Sequence, residues 1–136
     1  MTTAPLLDTH AWIWWLTGDP RLDKMTIDAL DALPTNDRPF LSDVSLFEIA
    51  ILVGLKRLVL PIPFEEWLDA AAHPRTVRSV PIVPDVAKSV AKLAGTFRDP
   101  ADRVIVATSQ TINAPLLTRD KLIIRSRLVK RWTPKA

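Results

Sequence analysis

The 136-residue sequence predicts an α/β protein in which helices cover both faces of a parallel β-sheet. Short apolar runs alternate along the chain with longer segments of helical periodicity, and strands that are separated by helices pair in parallel. The composition, 48% hydrophobic and 24% charged, is that of a folded chain long enough to bury a core. We therefore expect a single domain over residues 1–136.

The first half of the chain is expected to hold two strands and three helices. "PLLD" (5–8) forms a short buried strand, and a tryptophan-rich helix follows from His10 to Thr17. A second helix covers residues 21–33. "PFLS" (39–42) forms the next strand, and "DVSLFEIAILVGL" forms a helix that Gly54 closes.

The second half continues the alternation. "PFEEWLDAAA" (63–72) is predicted to be a helix with Pro63 near its start, and "VRSVPIV" (77–83) a strand whose proline indicates the edge of the sheet. Helices follow over 84–95 and 99–112. "PLLT" (115–118) forms another strand, and "RLVKRW" (127–132) adds a possible last strand.

The composition excludes several kinds of site. The sequence has no cysteine, so disulfides and thiolate zinc sites are absent. Its three glycines each follow an apolar periodic stretch, which predicts helix ends rather than a phosphate-binding loop. The amino-terminal segment lacks the pattern of a secretory signal, and the apolar runs are too short to span a bilayer. A cytoplasmic location is expected.

Positive charge is concentrated near the carboxyl end. The net charge is only +3, but seven of the 18 Lys and Arg residues lie from Arg119 onwards, against one acid, Asp120. Such a segment either attracts a polyanion or keeps an edge of the protein soluble. Charge alone does not decide between the two. The candidate polyanion contacts in this segment are Lys121, Arg125 and Arg127.

Four acidic residues fall at the carboxyl edge of the predicted sheet, where α/β proteins place their functional crevice. Asp8 ends the first strand, and Glu48 lies in the helix after the second. Asp102 is in the first turn of the helix 99–112, and Asp120 follows "LLT".

Each acid also has a purely structural explanation. Asp8, Asp99 and Asp120 are each well placed to cap a helix, and Asp102 is favoured by the dipole of its helix. Pro100 suits the first helical position. Glu48 is harder to explain in this way, because its helical neighbours are mostly apolar and no Lys or Arg lies within one turn. A buried carboxylate normally neutralises, pairs or binds a metal.

Converging carboxylates without cysteine favour a hard cation, Mg²⁺ or Mn²⁺, over zinc. Such ions activate water and stabilise the leaving oxygen in phosphodiester hydrolysis. A phosphatase with a two-aspartate nucleophile motif fits less well, because His10 stands where the second acid is needed.

Four motifs in order resemble those of PIN-domain nucleases: "LLDTHAWIWWLTGDPRL", "SDVSLFEIAILVGLKRLVL", "FRDPADRVIVATS" and "LLTRD". They are most similar to VapC-type toxins of bacterial toxin–antitoxin pairs, over nearly the whole chain. The resemblance implies a three-layer fold with about five parallel strands, Mg²⁺-dependent RNA cleavage, a homodimer and inhibition by a cognate antitoxin.

The resemblance also implies roles for individual residues. Asp8 and Asp102 would be the primary metal ligands, and Glu48 and Asp120 the further catalytic and metal-binding acids. Asp99 would be an auxiliary acid or simply the cap, and the cap is favoured. Thr118 would orient a ligand or water. The family often has Trp at the position that Phe47 occupies in this chain. Phe47 is therefore expected to pack as the aromatic residue there.

The tryptophans of the first helix cannot all face one core. Trp12 and Trp15 share a face, so Trp14 is expected to point elsewhere and to contact a partner protein. His10 is expected at the helix start or in the core rather than at the crevice mouth. Two other functions stay open: a PIN-type RNA-processing nuclease without an antitoxin, and a non-catalytic RNA-binding module. The presence of all four acids disfavours the second.

Overall fold

The structure is a computed structural model that describes residues 4–134, and it shows the predicted alternation of strands and helices. The strands are β1 (Leu6–Leu7), β2 (Phe40–Ser42), β3 (Arg78–Val80) and β4 (Leu116–Leu117). The helices are α1 (Thr9–Thr17), α2 (Lys24–Asp31), α3 (Asp43–Gly54), α4 (Phe64–Ala71), α5 (Pro84–Lys92), α6 (Pro100–Ile112) and α7 (Lys121–Ser126). A 3₁₀ turn covers Thr35–Asp37.

All the pairings in this sheet are parallel, and the strand order is β3-β2-β1-β4. The chain adds β2 and β3 on one side of β1 and then returns to place β4 on the other side. The order therefore reverses between β1 and β4, which is where a crevice opens at the carboxyl ends of the strands.

The sheet has four strands within residues 4–134, compared with the five or so expected. The segment 127–132 contributes an isolated parallel bridge between Leu116 and Arg131 instead of a full strand. The edge prediction for 77–83 is confirmed, because β3 is an outer strand and ends just before Pro81. Proline lacks the backbone N–H that would donate to a neighbouring strand, and this loss is tolerated at the edge of a sheet.

Successive residues of each strand supply two hydrophobic cores, one on each face of the sheet. Leu7 and Leu117 pack with Trp12, Trp15 and the other core residues of α1 to α4. Leu6 and Leu116 point the other way, into a core shared with α5, α6 and α7. The three layers that the resemblance implies are thus present, and both cores hold the strand ends rigidly.

Local cap chemistry sets the helix ends, with some departures from expectation. Gly18 ends α1 in the left-handed conformation, at φ 66°, as predicted. Gly54 is instead the last residue of α3, and Gly95 lies beyond the end of α5. The helix α2 starts at Lys24 because the side chain of Asp23 caps it. None of the helices in the described part of the chain is long and apolar enough to cross a membrane.

Candidate active site

Five acidic residues line one cavity of about 330 Å³ at the carboxyl edge of the sheet: Asp8, Glu48, Asp99, Asp102 and Asp120. They come from the ends of β1 and β4, from α3 and from the start of α6. The four acids that the sequence places at this edge therefore meet in one cavity, and the auxiliary acid joins them.

Asp8 is the most deeply placed of these acids, with 8% of the residue exposed. As the N-cap of α1, it accepts a hydrogen bond from the Ala11 amide at Oδ1, over 2.7 Å. Its other oxygen, Oδ2, accepts from the hydroxyl of Thr118. The capping interpretation and the functional one are thus compatible, because the two bonds fix the carboxylate in the wall of the cavity.

Glu48 reaches the cavity from the second turn of α3 and is half-buried. Thr9 donates its hydroxyl to Oε1 of Glu48 at 2.5 Å and also contacts the hydroxyl of Ser45 at 2.8 Å. The Thr9 hydroxyl thus gives Glu48 the polar partner that no nearby Lys or Arg supplies. The sequence alone did not reveal this contact between α1 and α3, because Thr9 and Glu48 are 39 residues apart.

Asp99 and Asp102 share the start of α6. Asp99 is the N-cap and accepts from the Ala101 amide at 3.0 Å, which confirms its predicted cap role. Asp102 lies in the first turn of α6, as expected. After burial, repulsion by Asp99 is the largest cause of its raised pKa. Pro100 between them occupies the first helical position.

Asp120 and Thr118 complete the edge beside β4. Asp120 caps α7 by accepting from the amides of Leu122 and Ile123 at 2.8 and 3.1 Å, and both bonds use Oδ1. The Asp120 amide in turn donates to the Thr118 hydroxyl at 3.0 Å. Thr118 therefore links two of the acids, and its predicted orienting role has a structural basis.

Burial and crowding make the charged forms of these acids unfavourable. Burial raises the pKa of Asp8, and the Thr118 bond only partly offsets it. Burial also raises the pKa of Glu48, and the hydrogen bond from Thr9 lowers it only in part. The pKa of Asp102 rises from 3.8 to about 7, first through burial and then through repulsion by Asp99, Asp120, Glu48 and Asp8.

The donor set fits a hard divalent cation. The cavity offers carboxylate and hydroxyl oxygens, the ligands that Mg²⁺ and Mn²⁺ prefer, and bound positive charge would relieve the repulsion that raises these pKa values. Within residues 4–134, no three acidic or histidine side chains stand close enough together to hold an ion as they are. Side-chain rotation is therefore needed to close a ligand set.

Two arginines also line the acidic cavity, Arg21 and Arg119. Each is held by an aspartate: Asp19 binds Arg21 at 2.7 Å, and Asp23 binds Arg119. The residues Lys121, Arg125 and Arg127 are exposed and are not among those that line this cavity. Their role in RNA binding stays a prediction.

The aromatic residues partly follow expectation. Trp12 and Trp15 are buried in the core, while Trp14 is half-buried, packs against the same core and also lines the cavity. Its contact with a partner protein stays a prediction. His10 lies in the first turn of α1, which confirms the expected helix-start position, but it is exposed rather than in the core and it also lines the cavity. Phe47 is 67% exposed, which corrects its expected packing role, because α3 turns that face away from both cores.

Comparisons with known proteins agree with this geometry. The PIN domain family model matches residues 6–126. Ribonuclease VapC22 of Mycobacterium tuberculosis is 37% identical over 122 residues, which is 89% of each chain. The crystal structure of FitAcB from Neisseria gonorrhoeae is similar with a TM-score of 0.69 and 26% identity, covering 95% of this chain and 96% of that one.

A toxin–antitoxin complex from Klebsiella pneumoniae is similar with a TM-score of 0.64, covering 97% of this chain and 98% of that one. At 22% identity, this last similarity concerns the fold alone.

Proposed function

The chain belongs to the PIN-domain family, and on this premise we propose that it is a Mg²⁺-dependent endoribonuclease, the toxin of a toxin–antitoxin pair. The observation that carries the proposal is the meeting of five acids in one cavity at the point where the strand order reverses. The ribonuclease name of the Mycobacterium tuberculosis relative supports RNA as the substrate. We assign the activity to one domain, residues 1–136.

Asp8 and Asp102 are the proposed primary metal-binding residues, with Glu48 and Asp120 completing the set. These residues would hold Mg²⁺, or Mn²⁺ in its place, and the ion would supply activation of water for phosphodiester hydrolysis and stabilisation of the leaving oxygen. Thr118 and Thr9 hold the carboxylates of Asp8 and Glu48 in orientation, so these hydroxyls act through the acids.

The test is cleavage of RNA by the purified protein with Mg²⁺, with Mn²⁺ and with excess chelator. We expect cleavage only with the ions, and none from Asp8→Asn or Asp102→Asn, each of which should remain folded because it removes repulsion. Undiminished cleavage in excess chelator would contradict the metal assignment. Mapping the cut ends on total cellular RNA then identifies the substrate.

Partner binding is proposed at an apolar surface formed by α3 and the segment after it. Its exposed members are Phe47, Ile51, Leu55, Val59 and Ile62, with Val59 88% exposed. Phe47, Ile51 and Leu55 are spaced by four residues, which places them on one side of α3, and Val59 and Ile62 line one cavity. Exposed apolar patches commonly mark protein contacts. We assign this surface to protein partners, a second copy of the chain or the antitoxin.

Light scattering of the protein alone, and then together with the product of any neighbouring small open reading frame, tests both partners. A dimer that Phe47→Ser disrupts would identify the second copy as the occupant of this surface. If no antitoxin gene adjoins and the protein still cleaves RNA, the function is RNA processing rather than toxicity.

A further inference from the structure

A second cavity of about 700 Å³ adjoins the acidic cavity. The two cavities share His10, Trp14 and Arg21 in their walls. The second cavity runs past the end of α1 to the segment Arg57–Pro61. A polymer that is cut at the acids must extend beyond the acidic cavity, and the shared wall borders one path by which it can do so.

The three shared residues adjoin one another, with the two rings tilted and the guanidinium over the Trp14 ring, and this group is called the stack below. The rings of His10 and Trp14 lie one helical turn apart, with centroids separated by 5.6 Å and planes inclined by 49°. The guanidinium carbon of Arg21 lies over the Trp14 ring, 4.9 Å from its centroid. Three flat groups therefore follow one another along the border between the two cavities.

The stack is held in place and yet open to solvent. Arg21 donates to Asp19 from Nε at 3.0 Å and from Nη2 at 2.7 Å, a two-point contact that fixes the plane of the guanidinium. The Arg21 side chain is still 66% exposed, and His10 is exposed as well. Flat groups that are fixed before a ligand arrives lose little freedom when it binds.

Such groups beside cationic side chains suit a single-stranded nucleic acid. Bases stack on aromatic rings and on guanidinium planes, and arginines attract the phosphates between them. Arg57 lines the second cavity, and Arg119 lines the acidic one. Positive charge is thus available on both sides of the stack.

We propose that His10, Trp14 and Arg21 form a platform on which the nucleobase next to the scissile phosphate stacks. This proposal rests on the ribonuclease function proposed above and adds how the substrate is positioned. The platform would hold single-stranded RNA by base stacking, which tolerates any base but requires that one be unpaired.

RNA fits this wall better than a protein partner does. The wall is continuous with the acids, where the phosphodiester bond must lie, and two of its three members are cations or polar rings. Of the strongly exposed apolar residues, Phe47 lies outside both cavities, and Val59 lines the far part of the second cavity but not the wall that the two cavities share. Docking of a protein on the wall is the competing outcome.

The test compares Trp14→Leu with Trp14→Phe, using a single-stranded RNA oligonucleotide that the wild-type protein cuts at one site. Loss of stacking should raise KM about tenfold in Trp14→Leu while kcat changes little, and Trp14→Phe should restore most of the affinity. Met25→Leu, at an exposed apolar position on α2 outside both cavities, is the control and should leave KM unchanged. Thermal unfolding confirms that each variant is folded.

A second oligonucleotide, which lacks the base next to the cut, makes the test specific to stacking. The wild-type protein and Trp14→Leu should bind this abasic RNA equally, because neither has a base to stack. Equal KM values on the intact RNA would overturn the proposal and leave the wall to a protein partner. A tenfold difference that persists on the abasic RNA would also overturn it, because Trp14 would then act through something other than the base.

The proposed function has its own point of failure. If the wild-type protein cuts no RNA, the ribonuclease function fails and the platform fails with it. If the wild-type protein cuts RNA while Trp14→Leu is indistinguishable from it, only the platform fails. Binding of the intact RNA to Asp102→Asn, with and without Trp14→Leu, measures the same affinity difference without cleavage.

Discussion

The hydroxyl of Thr118 donates a hydrogen bond to Oδ2 of Asp8, although the two residues lie 110 positions apart in the sequence. The contact joins the ends of β4 and β1, the adjacent strands between which the order of the sheet reverses. Because Oδ1 of Asp8 is engaged by the Ala11 amide, both oxygens of this acid are oriented by the fold.

Thr118→Val should lower RNA cleavage by about 10- to 100-fold, because it leaves the shape of the buried side chain but removes the hydroxyl that orients Asp8. The affinity for Mn²⁺ should fall as well. Thr118→Ser, which keeps the hydroxyl, should recover most of both. Steady-state kinetics and calorimetric titration with Mn²⁺ measure the two effects, and a valine variant with wild-type kinetics would remove Thr118 from the site.

Asp102→Asn should stabilise the metal-free protein under mildly alkaline conditions. The pKa of Asp102 is raised to about 7 in the folded protein, so between its ordinary value of 3.8 and 7 the folded state binds more protons than the unfolded state. The stability that this carboxyl contributes is full below the lower value and is lost as the pH rises through the upper one. Asparagine does not ionise and escapes that loss.

The expected gain at about pH 8 is about 1–2 kcal/mol, less than the whole shift implies because the carboxyl is partly solvated. At about pH 5 the gain should fall below half of that value. Urea unfolding in the presence of chelator measures it. Asp69→Asn, at an exposed position on α4 outside the cavity, is the control and should show no such pH dependence.

Metal affinity should increase with pH through the pKa of Asp102, which is raised to about 7. A proton on this carboxyl must leave before the carboxylate binds a cation, so binding should release protons most strongly below that pH. Calorimetric titration with Mn²⁺ in two buffers of different ionisation enthalpy measures the release. A Mn²⁺ affinity that stays constant between about pH 6 and 8 would show that Asp102 does not bind the ion.

Asp99→Asn should retain most RNA cleavage, whereas Asp102→Asn should abolish it. Asparagine caps a helix about as well as aspartate, so the bond to the Ala101 amide and the start of α6 should persist. Removing the Asp99 charge also relieves part of the repulsion that raises the pKa of Asp102. Parallel assays of the two variants decide the ranking, and equal inactivity would make Asp99 a full member of the site.

Replacing Arg125 and Arg127, at the exposed end of α7, by neutral residues should weaken the binding of RNAs of any base sequence to a similar extent. In Arg125→Gln with Arg127→Asn, the asparagine suits the left-handed conformation of position 127, at φ 58°. If both arginines contact phosphates, the salt dependence should flatten by about 0.7 log units for each contact on single-stranded RNA. Binding to Asp102→Asn protein at two salt concentrations measures this slope.

The competing interpretation makes this segment a solubilising edge or an antitoxin contact. RNA affinity would then stay unchanged while solubility or antitoxin binding fell. Lys92→Gln, at an exposed position on α5, controls for the loss of one positive charge elsewhere.

Features that depend on neighbouring residues were predictable from the sequence. Asp99 and Pro100 mark the start of α6 because capping is a local interaction, and the strand-end rule brings Asp8 and Asp120 to one edge. The motifs that resemble the PIN family supplied the expected roles of the acids. These agree with the cavity that the acids line, and their chemistry stays a prediction.

Features that depend on distant pairs were not predictable. The bridge from Thr9 to Glu48 and Ser45 requires knowledge of how α1 packs on α3. Arg21 gave no sign of lining the site, because its position follows from the turn after α1 and its bond to Asp19. His10 is at the helix start as expected, but its place in the cavity wall depends on the orientation of α1 and was not predictable.

The sheet order also governs when the active cavity can exist during synthesis. The strand made last, β4, pairs with the strand made first, β1, and Asp120 follows it. A growing chain that has left the ribosome as far as α6 lacks both Asp120 and the hydroxyl that orients Asp8, so its acid set is incomplete. A partly synthesised chain that ends before β4 therefore cannot form the complete acidic cavity.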